Sequence, residues 1–71
     1  MAESVYKVIE LVGTSTESWE KAAAAAIERA AMSLRDLRIG EVVEQDLVIE
    51  NGKVEACRTK LKGSFKCESN D

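Results

Sequence analysis

Val5-Tyr6-Lys7-Val8-Ile9-Glu10-Leu11-Val12-Gly13-Thr14-Ser15-Thr16-Glu17-Ser18-Trp19 is the stretch whose reading decides the fold. Val5 to Val12 is dense in β-branched and aromatic residues, with Lys7 and Glu10 set among them, and reads as a strand with both faces partly covered. Gly13 is expected to end it. The polar cluster that follows carries helix-start signals. Thr14 and Glu17 have the spacing of a capping box, with Thr16 and Ser18 as rival N-caps. An alanine-rich helix is then expected from about Glu17 to Asp36. Trp19, Ala23, Ala26, Ile27, Ala30, Leu34 and Leu37 recur at three- and four-residue steps and form one apolar stripe. The five alanines Ala22 to Ala26 combine high helix propensity with room for a close neighbour. Glu17 and Lys21 form an i,i+4 pair in the favourable order. Trp19 is expected to anchor packing rather than to serve as a cofactor platform.

Beyond the helix, Ile39 to Glu50 reads as a long second strand. Asn51-Gly52 is a strong hairpin signal for a two-residue type I′ turn. Lys53 to Cys67 follows as the third strand, and Glu68 to Asp71 as a polar tail expected to fray. Alternation in the third strand puts Cys57, Thr59, Leu61, Gly63, Phe65 and Cys67 on one face. Arg58, Lys60, Lys62, Ser64 and Lys66 take the other. The expected fold class is α+β: one domain over residues 1–71, a β-α-β-β unit with a three-stranded antiparallel sheet packed on one helix.

Such a unit has little interior of its own. A chain of 71 residues is marginal unless a disulfide, a metal or oligomerisation supports it. Cys57 and Cys67 lie in one strand roughly 33 Å apart at ~3.3 Å per residue, too far to bridge. They are expected as free thiols of a reducing, cytoplasmic compartment. With no histidine in the chain, a zinc site or a Cys–His nucleophile lacks its partner residues. Strand edges and apolar surface are therefore expected to be satisfied by copies of the same chain, in a symmetric homo-oligomer. The 10 basic and 13 acidic residues are interspersed, giving a net charge of −3, which is unlike a nucleic-acid footprint. Apolar runs fall far short of the ~20 residues of a membrane span, and no signal-peptide pattern is expected. Neither nucleic acid nor membrane is expected as a partner.

The order of elements, with the segment Val5 to Ser15, the helix carrying Ala26-Ile27-Glu28-Arg29-Ala30, the Glu41-Val42 pair and Phe65, resembles the dodecins across nearly the whole chain. The resemblance implies a hollow homododecamer of tetrahedral symmetry that binds a small molecule or ion. In that family, flavin pairs are sandwiched by a tryptophan two residues before the Glu-Val pair. Ile39 stands at that position here. The family's third-strand glutamine, which both donates to and accepts from the flavin edge, aligns with Arg58, which has five donors and no acceptor. The usual flavin site is therefore expected to be impaired, with Ile39, Gly40, Gln45 and Arg58 lining what remains of it.

Two replacements suggest themselves from the residues. Arg58 is a candidate for bidentate pairing with a phosphate or carboxylate of an anionic cofactor, with Lys60, Lys62 and Lys66 on the same face. The simpler reading of that face is a solvated one, or one paired with carboxylates of a neighbouring subunit. Glu44 and Asp46, two apart in a strand, place carboxylates ~6–7 Å from each other on one face. Repeated about a symmetry axis they are candidate ligands for calcium or magnesium. No Gly-rich phosphate loop or nucleophile–base pair is readable, and nothing in the context of Glu10 and Glu41 marks them as catalytic carboxylates. The expected function is non-catalytic binding or sequestration. The alternatives are flavin (riboflavin or FMN) storage and a structural shell without a small-molecule ligand.

Overall fold

The computed structural model describes residues 3–67, so the expected tail Glu68 to Asp71 lies outside the described residues. Four elements follow in order: β1 (Tyr6–Ser15), α1 (Trp19–Ala31), β2 (Leu37–Glu50) and β3 (Lys53–Lys66). The three strands form one sheet in the order β1-β3-β2. β3 is central and antiparallel to both neighbours, so β1 and β2 run parallel at the two edges.

Three expected boundaries are corrected. β1 does not stop at Gly13 but runs on to Ser15, with Gly13 opposite Thr59 and Thr14 opposite Arg58. Thr14 is thereby committed to the sheet and does not cap the helix. The N-cap is Ser18, whose Oγ accepts from the Lys21 amide at 3.0 Å. Ser15 Oγ shapes the connection by accepting from the amide of Glu17 at 3.0 Å. At its other end the helix stops at Ala31, five residues before the expected Asp36. Its last turn tightens as the amides of Met32 and Ser33 reach Arg29 and Ala30 carbonyls at 3.2 and 3.1 Å. Asp36 then adopts a left-handed φ of 58°, a conformation that Asp tolerates better than most residues. The turn lets Leu37 enter the sheet opposite Phe65 instead of prolonging the helical stripe.

Asn51 and Gly52 have φ of 51° and 74°, the two positive values a type I′ turn demands. The hairpin they close is irregular, with register shifts between Val48 and Ile49, between Val42 and Glu44, and between Leu37 and Ile39.

The helix lies across one face of the sheet, and the core between them is small. Ala22, Ala26 and Leu61 are its buried apolar side chains, with Thr59 fully buried beside them. Thr59 is satisfied by donating from Oγ1 to the Trp19 carbonyl at 3.0 Å. A helix of 13 residues is ~20 Å long, whereas the 14-residue strands reach ~46 Å. The hairpin end therefore runs well beyond the helix, and the protomer measures 53 × 20 × 14 Å. Cys57 and Cys67 are both free thiols. Among the described residues no helix is long and apolar enough to cross a membrane.

Candidate functional site

The face of the sheet turned away from the helix gathers the residues with binding chemistry. β3 contributes Arg58, Lys60 and Lys62, and each stands opposite a carboxylate of β2: Asp46, Glu44 and Glu41 respectively. Lys62 also has Glu10 of β1 across from it. Cation and anion thus alternate across the strands over three consecutive outward positions.

The first pair is the tightest. Arg58 Nε donates to Asp46 Oδ1 and Nη2 to Oδ2, both at 2.8 Å, the fork-to-fork geometry that makes Arg–carboxylate pairs strong and directional. These hydrogen bonds are the main reason that the Asp46 carboxyl is held below its ordinary pKa. Partial burial opposes them, and the charges of Arg58 and Lys60 add to them. The Arg58 guanidinium is raised in turn, chiefly by its hydrogen bond to Asp46. Lys60 Nζ reaches Glu44 Oε1 at 3.2 Å, with the Glu44 side chain 61% exposed. Beside these pairs, Glu10, Val12, Val43, Glu44, Lys60 and Lys62 rim a shallow depression of about 280 Å³.

The helix reaches this region from the other side. Trp19 Nε1 donates to the Asp46 backbone carbonyl at 3.1 Å, and the ring stays 36% exposed. Trp19 is thus a strap between α1 and the middle of β2 rather than a core side chain.

The residues expected to line a flavin-type pocket are spread over both faces of the protomer. Ile39 is 53% exposed and opposite Ser64, on the same outward face as Arg58. Six positions of β3 separate Ser64 from Arg58, about 20 Å at strand spacing. Gly40 faces Gly63 on the helix side, where an added Cβ would lie 3.1 Å from Ile27 Cδ1. Gln45 lies opposite Thr59, also on the helix side. One protomer therefore does not bring these four together. Glu44 and Asp46 do share a face, each held by a basic partner. No group of three or more carboxylate, thiol or imidazole residues is arranged to hold a metal among the described residues. The donors that are present, carboxylate oxygens, suit a hard cation in kind but not in number within one protomer.

Sequence reading did not find the Asp46–Arg58 clamp. Extending a regular register from the Asn51-Gly52 turn sets Asp46 opposite Cys57. The irregularity near Ile49 inserts Glu55 into β3 and moves Asp46 to Arg58, and a second one at Val43 restores the original register. A β-branched, charge-poor stretch such as Val42-Val43 carries no sequence signal for such a bulge.

The comparisons with known proteins agree with one another. The Dodecin family model matches residues 5–68. The calcium dodecin of Mycobacterium tuberculosis is 49% identical over 63 residues, spanning 89% of this chain and 89% of that one. Among solved structures, dodecin from Streptomyces coelicolor superposes with a TM-score of 0.88 at 36% identity, covering 99% of this chain and 100% of that one. The structure of the M. tuberculosis calcium dodecin, described as a calcium-chelating antigen with a novel calcium-binding site, gives 0.80 at 48% identity, with coverage of 96% and 97%. On sequence, element order and sheet topology alike, the chain belongs to the dodecin family.

Proposed function

We propose that this chain assembles as a hollow homododecamer that binds and sequesters calcium in place of flavin, without catalysing a reaction. The observation that carries the ligand half is the outward face itself. An aliphatic side chain, Ile39, stands where the family's stacking ring is expected, and the polar groups that β2 presents beside it are carboxylates. Ile39 offers apolar contact but no π face, so a flavin ring would lose stacking worth ~1–3 kcal/mol per contact. Kinship at 49% identity to a protein named for calcium supports the same direction.

Calcium takes six to eight oxygen ligands, and one protomer offers at most a few carboxylates on this face. Glu44 is the more available donor because it is open to solvent and held by one ammonium. Asp46 has each oxygen already engaged by Arg58. A complete site therefore needs carboxylates from several copies around a symmetry axis. Assembly is supported by exposed apolar residues that a lone protomer leaves in water, among them Val8, Val12, Ile39, Val42 and Val43, each at least half exposed. The protomer's accessible surface of 5430 Å² also exceeds the ~4,400 Å² of a compact monomer of this mass.

The test joins a riboflavin and FMN fluorescence-quenching titration to a calcium-dependent thermal melt, on protein whose mass is checked by light scattering. Dodecameric protein that leaves flavin fluorescence intact and melts higher in calcium, since a ligand of the native state stabilises it, bears the proposal out. Submicromolar quenching returns the protein to flavin storage. Indifference to both ligands leaves a structural shell.

A further inference from the structure

We infer that Asp46 is a specificity-determining residue, whose carboxylate fills the donor fork of Arg58 and so bars phosphate- and carboxylate-bearing ligands from the outward face of the sheet. The inference concerns the face discussed above but does not require that calcium binds there. An unpaired arginine flanked by Lys60 and Lys62 would be a ready anion site. In the folded chain that site is already occupied from within.

Two contacts to Trp19 hold the strand backbones that carry the pair. The Asp46 backbone is strapped to the helix by the Trp19 indole at 3.1 Å. The residue after Arg58, Thr59, is buried and bonded to the Trp19 carbonyl at 3.0 Å. Both strands of the Asp46–Arg58 pair therefore hang on one helical residue, and the cross-strand register keeps the two side chains opposite each other. An incoming anion competes with a tethered carboxylate whose effective concentration is millimolar or higher. The next cations along β3 also have carboxylate neighbours. Lys60 is engaged by Glu44 at 3.2 Å, and Lys62 has Glu41 and Glu10 as cross-strand neighbours. Discrimination of this kind works by closing a site to the wrong ligand class.

The test is calorimetric titration of inorganic pyrophosphate into the assembled wild-type protein and into Asp46→Asn, with Asp46→Ala as the more severe variant. The near-isosteric Asn keeps the shape but not the charge, and the backbone carbonyl that receives Trp19 is unchanged. Pyrophosphate is expected to bind the Asn variant at least ~10-fold more tightly than the wild type, and adding Arg58→Gln should abolish that gain. Equal affinity in wild type and variant overturns the inference, as does a gain that survives loss of Arg58. A further check needs no change at Asp46. Arg58→Gln alone should leave the parent's pyrophosphate affinity unmoved, and a loss there would show that Arg58 was free to bind anions all along.

Discussion

Gly13 and Asp46 show how differently single residues carry this fold. Gly13 looks in the sequence like a strand terminator, yet the strand passes through it without a left-handed φ. What it provides is clearance. A Cβ there would overlap the Ala22 carbonyl oxygen and lie 3.0 Å from Ala26 Cβ, so the helix rests directly on the strand. Gly13→Ala must lift the helix or shift β1, an overpacking that costs about 1–3 kcal/mol or more, read as a lower urea midpoint. Asp46 contributes through charge. Because its carboxyl is held below the ordinary value by Arg58, its contribution is present above the unfolded-state pKa of about 3.9 and is lost as pH falls through the lower folded-state value. The melting difference between wild type and Asp46→Asn should therefore be constant from neutral pH down to about pH 5 and shrink only below about pH 4. A gap that closes near neutrality would show that some other group is titrating.

At the scale of elements, most of what is regular was legible and most of what is irregular was not. The alanine run announced α1, with Ser18 among the rival caps, and Asn51-Gly52 announced the hairpin, because local propensity and turn chemistry act over a few residues. The helix start rests on Ser18, whose side chain accepts from the Lys21 amide. Ser18→Ala should cost about 1 kcal/mol, while Thr16→Ala should be near neutral; the reverse order in a thermal melt would move the cap. The Glu17–Lys21 pair forms at 2.6 Å as its spacing suggests, but with both side chains about two-thirds exposed it adds little. The helix ends earlier than its period suggests, because Leu34 and Leu37 continue that period while pairing with the sheet diverts Leu37 to Phe65. The bulges of β2–β3 were invisible for a similar reason. They are irregularities in how two distant stretches of chain register, and they decide which charge meets which.

For the whole molecule, the mismatch between a ~20 Å helix and strands more than twice as long is what makes the protomer incomplete. Its radius of gyration of 14.7 Å exceeds the ~11 Å of a compact domain of this length. The excess is surface that the proposed assembly would cover. The flavin-type residues Ile39, Gly40, Gln45 and Arg58 do not meet within one chain, because they lie on both faces of the sheet and Ile39 is about 20 Å from Arg58 along it. If symmetry-related copies bring them together, the double variant Ile39→Trp with Arg58→Gln should gain flavin affinity by about 5- to 150-fold for each restored stacking contact. Fluorescence quenching by the assembled variant measures this, and unchanged affinity would mean that the two positions do not share a pocket.

By itself the sequence determined the element order, the two alternating rows of β3 and the turn residues, and its small core pointed towards assembly. These follow from periodicity, propensity and chain length, all of which are local or additive. Tertiary structure alone decided the strand order with β3 in the centre, the close seat of the helix on Gly13, and the pairing of Asp46 with Arg58. Those depend on register and on contacts between residues distant in the chain. A shift of one position across a bulge reverses which face a side chain takes, and no short stretch of sequence records it.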